Sequence, residues 1–211
     1  MPIIRPYRSA DREALYEICV RTGDAGRDAT ALYRQPRILP DIFTGPYLLL
    51  EPELAFVLAD AADRPVGYVL GTADTPAFVA RFRGEWLPAV AAGYPAPTAE
   101  PAPGDLDAHR IRELHDPEWM LTPLLADYPA HLHIDLLPEA QGRGAGRAMI
   151  DTYFAALRGS GVSRVHLGMS AANAGARAFY DRLGFHEISR TGAAVLLGRG
   201  THPTVPARPH G

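Results

Sequence analysis

Residues 131–147 read HLHIDLLPEAQGRGAGR, an alternating stretch that runs directly into a loop crowded with glycine. His131, His133 and Asp135 alternate with Leu132, Ile134 and Leu136, which is the period-two pattern of a strand with two unlike faces. Gln141-Gly142-Arg143-Gly144-Ala145-Gly146 then stands just ahead of a helical pattern through Ala148, Met149, Tyr153, Phe154 and Leu157. Glycines at a strand end are most often turn residues. Several in succession before a helix also let backbone N–H groups close around an anion, where the peptide dipoles place about half a positive charge.

Two common nucleotide loops do not fit this stretch. The phosphate loop GxxxxGK[ST] lacks its lysine, and Gly142 has Arg147 where the dinucleotide pattern GxGxxG requires glycine. What remains is Gln141-x-x-Gly144-x-Gly146, with the amides of Gly142, Arg143, Gly144, Ala145, Gly146 and Arg147 available to a diphosphate. Arg143 and Arg147 are candidates to hold outer phosphates through charge-assisted hydrogen bonds. The plainer reading is a glycine-rich connection with solvated arginines.

Downstream, 162–169 reads as a strand and Asn173 begins a helix bearing Ala176, Phe179, Tyr180 and Leu183, closed by Gly184. Strands at 185–190 and 193–198 follow. Upstream, 3–7 is a short strand that Pro6 consigns to an edge, and Ser9 suits the cap of a helix carrying Leu15, Ile18 and Cys19. Asp28 opens a second short helix through Ala31, Leu32 and Tyr33, which Pro36 stops. The runs 54–60 and 66–74 form a hairpin around Asp63 and Pro65.

Thr75 and Pro76 suit the start of a helix through Phe78, Phe82, Trp86 and Leu87. Residues 93–107, GYPAPTAEPAPGDLD, read as an extended arm, and 111–119 as another helical piece. The expected organisation is one domain over 1–200, with a helical and proline-rich excursion at 75–130 and a tail at 201–211. Strand, helix, strand, helix, strand after an antiparallel hairpin implies an α/β fold with a mixed sheet and helices on both faces.

At 211 residues, with 47% hydrophobic and 21% charged residues, the composition is that of an ordinary globular protein. A formal net charge of −3 and scattered arginines point away from nucleic acid, and no apolar run reaches the roughly 20 residues of a membrane span. With no charged leader followed by an apolar run at the N-terminus, a cytoplasmic location is the expectation. The single cysteine, Cys19, excludes an internal disulfide framework and reads as a buried thiol.

The segment Q-x-x-G-x-G after a strand ending in Pro138-Glu139 resembles the signature of the GCN5-related N-acetyltransferases (GNAT). Asn173, Ala176, Tyr180, Gly184 and Phe185 stand where that family's later N-x-x-A-x-x-x-Y-x-x-x-G-F segment has them. HDPEWMLTPLLADYPAHLHIDLLPEAQGRG and YEICVRTGDAGRDAT further resemble bacterial acetyltransferase-like proteins related to the C-terminal domain of eukaryotic O-GlcNAcase. The resemblance implies a single-domain, mostly antiparallel GNAT-like sheet with a long insertion before the central cofactor-binding strand. It also implies acetyl-CoA as cofactor, its pyrophosphate on the glycine loop, and transfer of the acetyl group to an amine by direct attack.

From the same resemblance, the Leu136 amide would meet the acetyl oxygen, and Leu136 and Leu137 would line the pantetheine channel. Tyr180 matches the tyrosine proposed as general acid toward the thiolate; a half-buried aromatic is its alternative. Asn173 matches a residue that contacts the pantetheine arm or an ordered water; a helix cap serves equally. Spacing alone singles out Asp135, because a carboxylate inside an apolar strand costs several kcal/mol unless paired or hydrated. It is a candidate to hold the acceptor ammonium or take its proton through water, with a neutral histidine bonded to it as the structural alternative.

His131, His133 and Asp135 lack a matched fourth ligand, and no metal is expected. A nucleophilic Cys19 is disfavoured by its distance in sequence from both motifs. His109, His115, Asp116 and Trp119 in the excursion either line the acceptor side or form a polar helix that docks through Trp119. The acceptor stays open between protein lysine, small amine and amino sugar, and the excursion is compatible with a homodimer. The competing reading is a non-catalytic acyl-CoA-binding or protein-interaction module with the same fold.

Overall fold

A computed structural model describes residues 2–202, so the expected tail lies outside the described residues from 203 onward. The strands are β1 (Ile3–Pro6), β2 (Phe56–Ala59), β3 (Pro65–Thr72), β4 (Ala130–Leu136), β5 (Arg164–Ser170), β6 (His186–Thr191) and β7 (Ala194–Gly200). The helices are α1 (Arg12–Thr22), α2 (Ile38–Phe43), α3 (Gly45–Leu50), α4 (Thr75–Arg81), α5 (Leu87–Val90), α6 (Leu106–His115), α7 (Ala145–Gly159) and α8 (Ala174–Arg182). The described strands form one sheet in the order β1-β2-β3-β4-β5-β7-β6. Its pairings are antiparallel except for β4 with β5. The sheet is mixed, as the order of strands and helices implied, and mostly antiparallel, as the family resemblance implied.

Period-two alternation divides the core. Val57, Tyr68, Leu70 and Leu137 pack beneath α1, α2, α3 and α4 on one face. Leu58, Val69, Leu132, Val165 and Leu167 pack beneath α7 on the other, with Tyr180 of α8 and Leu183 just past its end. Residues of the excursion belong to the first of these cores: Phe78, Phe82, Trp86, Tyr94, Leu114 and Met120 are all buried there. The excursion is closed at its base, where the Thr75 N–H donates to Pro129 O at 2.9 Å and the Thr75 hydroxyl donates to the same oxygen at 2.7 Å.

Several local readings change. Ser9 does not cap α1; Asp11 closes that entry by accepting from the Arg8 N–H at 2.8 Å, and Arg5 grips its two oxygens at 2.7 and 2.8 Å. Asp28 bonds the Thr30 N–H at 2.8 Å but starts only the short 3-10 turn Thr30–Leu32. Asp74, rather than Thr75, caps α4 by accepting from the Ala77 N–H at 3.0 Å, and a π turn (Phe82–Trp86) carries that helix on to α5. The helical piece expected at 111–119 begins earlier, because Asp105 caps α6, and Pro117 turns its end into a 3-10 segment. Helices α2 and α3 have no counterpart in the sequence reading. Prolines 40 and 46 break any periodic signal there, yet burial of Ile38, Leu39, Tyr47 and Leu48 holds both helices.

β4 is seated by a close approach at Gly71. A Cβ at that position would lie 2.0 Å from His131 O and 2.4 Å from the Tyr153 hydroxyl, which itself donates to His131 O at 2.8 Å. Gly71→Ala is therefore expected to destabilise the fold by about 2 kcal/mol or more through overpacking. Urea unfolding monitored by circular dichroism should show a lower midpoint with an unchanged slope.

Candidate active site

The central geometric fact is how briefly β4 and β5 pair. Their parallel register holds only at Ala130↔Val165 and His131↔His166. Beyond that, β4 stays with β3 as far as Leu136 and β5 stays with β7 as far as Ser170, so a gap opens between them. The Leu137 N–H donates to Val66 O at 2.9 Å on the β3 side. Strand alternation then turns the Leu136 N–H toward the gap, where no strand accepts it. The Leu136 carbonyl, facing the same way, accepts from the Gln141 side chain at 2.9 Å.

Leu137 leaves the expected channel set. Its N–H is spent on Val66, its carbonyl accepts from the Ala140 N–H at 2.8 Å, and its side chain is buried in the core below α1. Leu136 alone of the two presents an uncommitted group to the gap.

At the mouth of the gap, Gly142 and Gly144 adopt φ of 78° and 80°, and Gly144 is the left-handed residue ahead of α7. Neither would meet an atom within 4 Å if it carried a Cβ, so their conformation, not crowding, calls for glycine. The first helical bond runs from the Ala148 N–H to Gly144 O at 3.1 Å, which leaves the amides of Ala145, Gly146 and Arg147 without helical partners. Gly146 lies against Phe179, where a Cβ would stand 3.0 Å from the ring. Arg143 is exposed in the loop, whereas the Arg147 guanidinium donates to Arg182 O at 3.0 Å, at the end of α8.

On α8, the Asn173 side chain accepts from the Ala176 N–H at 2.9 Å, so its carbonyl oxygen serves as a cap. Its amide nitrogen looks toward Gly26, whose Cβ would come within 4.0 Å, bringing the loop after α1 over the gap. Tyr180 is 8% exposed and packs between Phe179 and Phe185, at ring-centroid distances of 5.2 and 5.3 Å. No protein group among the described residues bonds its hydroxyl. Burial, then the charge of Asp135, pushes that phenol above its ordinary value.

On the opposite face, Tyr68 sits directly across from Asp135 in the β3–β4 register, and its hydroxyl donates to Asp135 Oδ2 at 2.6 Å. Thr44 lies 3.3 Å from the same hydroxyl. Burial raises the Asp135 pKa, opposed by the hydrogen bond from Tyr68. The alternative partner, a histidine, is elsewhere: Tyr47 bridges His131 Nε2 at 2.7 Å and His133 Nε2 at 3.0 Å. Since Thr75 gives its one hydroxyl proton to Pro129, His131 Nδ1 donates to Thr75 Oγ1 at 2.8 Å. His131 Nε2 then accepts from Tyr47, whose oxygen accepts from His133 Nε2–H. Burial holds His131 well below its ordinary value and His133 down at about 4, so both rings are neutral scaffolding.

Cys19 is remote from the motifs only along the chain. The fold brings it against Thr44 and Tyr68, and burial, then the Asp135 charge, pushes its thiol up to about 12. A thiol so held stays protonated and unreactive. In the excursion, Trp119 is exposed and contacts Phe43 at 6.3 Å, and Phe43 in turn contacts His133 at 5.8 Å. His115 Nε2 bonds Tyr94 O at 2.7 Å, while His109 and Asp116 face solvent. No group of three or more His, Cys, Asp or Glu side chains is placed to hold a metal ion among the described residues. No described helix is long and apolar enough to cross a membrane.

Sequence reading missed Tyr68, Tyr47 and Thr44. Tyr68 was within reach, because the hairpin alternation puts it on the face that Asp135 occupies. Tyr47 and Thr44 lie in and beside the unread helices.

Residues 110–185 match the model of the Acetyltransferase (GNAT) family. Protein O-GlcNAcase of Rattus norvegicus is 25% identical over 200 residues, covering 93% of this chain, which spans only 22% of that protein's length. The crystal structure of SsHAT is 57% identical and superimposes with a TM-score of 0.93, over 96% of this chain and 99% of that one. The structure of yncA from Salmonella typhimurium, solved with its cofactor acetyl-CoA, aligns over 100% of this chain and 99% of that one. Its TM-score is 0.54 at 12% identity, a likeness of fold.

The raised Asp135 pKa carries a sign that can be measured. The folded state holds this proton above the ordinary value of 3.8, so stability falls as pH rises through that window, and the ionised carboxylate weighs against folding at neutral pH. Asp135→Asn, which keeps an acceptor for Tyr68, should raise the melting temperature at pH 7. The advantage should vanish in melts below the ordinary carboxylate range.

Proposed function

The chain belongs to the GNAT acetyltransferase family, and on that footing we propose that it transfers an acetyl group from acetyl-CoA to an amine by direct attack. The observation that carries the reading is the β4–β5 gap, which meets a left-handed glycine cap with unspent amides at one end. It has a free backbone N–H along its edge, with Tyr180 of α8 on one face of the sheet and Asp135 of β4, bonded to Tyr68, on the other. These residues fit acetyl-CoA: the loop at Gly142 and Gly144 is open, and the amides of Ala145, Gly146 and Arg147 just beyond it have no helical partners. Acetyl-CoA, when bound, supplies an acyl group activated as a thioester.

The amides from Gly142 to Arg147 hold the diphosphate, with Arg143 adding charge from the loop. The Leu136 side chain lines the channel, and the Leu136 N–H donates to the acyl oxygen, where negative charge develops during attack. The Asn173 amide nitrogen remains as a donor to the extended arm, its oxygen being committed to the cap. Asp135, steadied through one oxygen by Tyr68, accepts the proton of the incoming ammonium with the other. Tyr180 gives its hydroxyl proton to the departing sulfur and recovers one from the nitrogen of the new amide, and a phenol raised by burial is in its protonated form when this is required. An amine acceptor of small or peptide-borne kind is compatible with the exposed Trp119 and Phe43 edge beside His133.

Calorimetric titration with acetyl-CoA and with desulfo-CoA should give saturable binding that Gly144→Trp abolishes. Tyr180→Phe and Asp135→Asn should retain binding while transfer to an amine panel falls by roughly a hundredfold or more, the usual weight of a lost general acid or base. Full turnover in both variants would refute the assigned roles. Binding with no transfer by the wild type to any amine would favour a non-catalytic acyl-CoA module.

The pH profile offers a separate check. The acidic limb of kcat/KM should lie above the ordinary carboxylate value of 3.8, because burial raises Asp135. In Tyr68→Phe that limb should move further up, since the variant removes a hydrogen bond that favours the ionised form.

A further inference from the structure

All 21 basic residues of the chain other than histidine are arginines, and most are neutralised locally. Among the described residues, only Arg12, Arg143, Arg147, Arg158, Arg182 and Arg199 have no carboxylate within ion-pair distance. Four of these six, Arg147, Arg158, Arg182 and Arg199, line one groove of about 510 Å³ between α7, the end of α8 and the end of β7. In a chain of net charge −3 this is an unusual concentration. The groove's two carboxylates, Asp151 and Asp181, do not balance it, and Asp181 is already held by Arg177 at 2.8 Å.

The arginines are also fixed in place. Arg147 donates to Arg182 O at 3.0 Å, and Arg158 donates to Thr201 O at 2.5 Å. Arg199 is 7% exposed, stacks on Phe154 at 5.1 Å, and donates to the carbonyls of Leu183, Gly200 and His202. Carbonyls satisfy some donors without cancelling any formal charge. A guanidinium has five N–H groups, and Arg147 and Arg158 each spend one on these bonds. Arg182 is exposed, and its side chain bonds no group among the described residues. Preorganised forks with spare donors and uncancelled charge match a tetrahedral oxyanion better than a solvated surface.

We infer that the α7–α8 groove is a phosphate-binding site, seated by Arg158 and Arg182 and flanked by Arg147 and Arg199. It is separate from the glycine loop, although Arg147 on the first turn of α7 lies at the margin of both. A phosphate monoester can reach it from two sources, the ribose 3′-phosphate of coenzyme A or an independent phosphorylated small molecule.

The full chain and its Arg182→Gln and Arg158→Gln/Arg182→Gln variants would be titrated calorimetrically with inorganic phosphate at constant ionic strength, then with CoA and 3′-dephospho-CoA. Arg182→Gln breaks no internal bond and keeps the test valid should the double variant unfold. The wild type should prefer at least one phosphate probe, and the variants should weaken that preference roughly tenfold or more. Loss of the preference for CoA over 3′-dephospho-CoA would identify the cofactor's own phosphate as the occupant. Loss of inorganic phosphate binding with that preference intact would identify a separate ligand. Equal phosphate affinity and an equal CoA to dephospho-CoA ratio in wild type and variants would overturn the site. Phosphate binding without any acetyl-CoA binding would leave this site standing and remove the transferase reading instead.

Discussion

The brevity of the β4–β5 pairing governs the rest of the molecule. Two residue pairs tie the halves of the sheet together, after which each strand keeps its other neighbour and gives up the one between them. A sheet that parts in this way leaves backbone donors uncommitted in its interior, an arrangement that costs free energy unless something occupies the opening. The glycine cap of α7 stands at one end of that opening. Tyr180 approaches from one face of the sheet, and Asp135 from the other. None of these groups would converge if β4 and β5 paired along their full length.

Holding the gap open requires β4 to be rigid from behind. The His131 carbonyl is gripped by Tyr153, Gly71 permits β3 to approach without a side chain, and Tyr47 ties His131 to His133. The two histidines, which look on paper like catalytic groups, are kept neutral by burial and work as struts. Asp135, on the same face two residues further along, is treated differently. It receives one strong hydrogen bond from Tyr68 and, among the described residues, no cationic partner, and burial raises its pKa. A shift of that kind is characteristic of a site where proton affinity matters more than stability.

Charge is distributed with a similar contrast. Across most of the surface arginine and carboxylate are matched pair by pair, as between the exposed Arg8 and Asp63. Along the outer side of α7 the matching stops, and guanidinium groups are held by carbonyls instead. The glycine loop and this groove lie at successive turns of one helix, so α7 presents dipole, amides and side-chain charge to anions along its length.

What could be read without coordinates was whatever depends on neighbours along the chain. Alternation in 131–137, the glycine run before α7 and the Asn173 to Phe185 spacing are local, and each led to its element and its candidate residues. The reading faltered where local signals were absent or ambiguous. The prolines in 36–50 hid α2 and α3, and with them Tyr47 and Thr44. Leu137 looked like its neighbour Leu136, yet one step along a strand reverses the direction of both backbone and side chain. Sequence by itself therefore determined the strand, loop and helix that frame the site and the residue types available to it. Only the tertiary structure decided that Tyr68, 67 residues away, would partner Asp135, and that β5 would leave β4 after two pairs. Those outcomes follow from sheet register and from burial by distant helices, which no window along the chain contains.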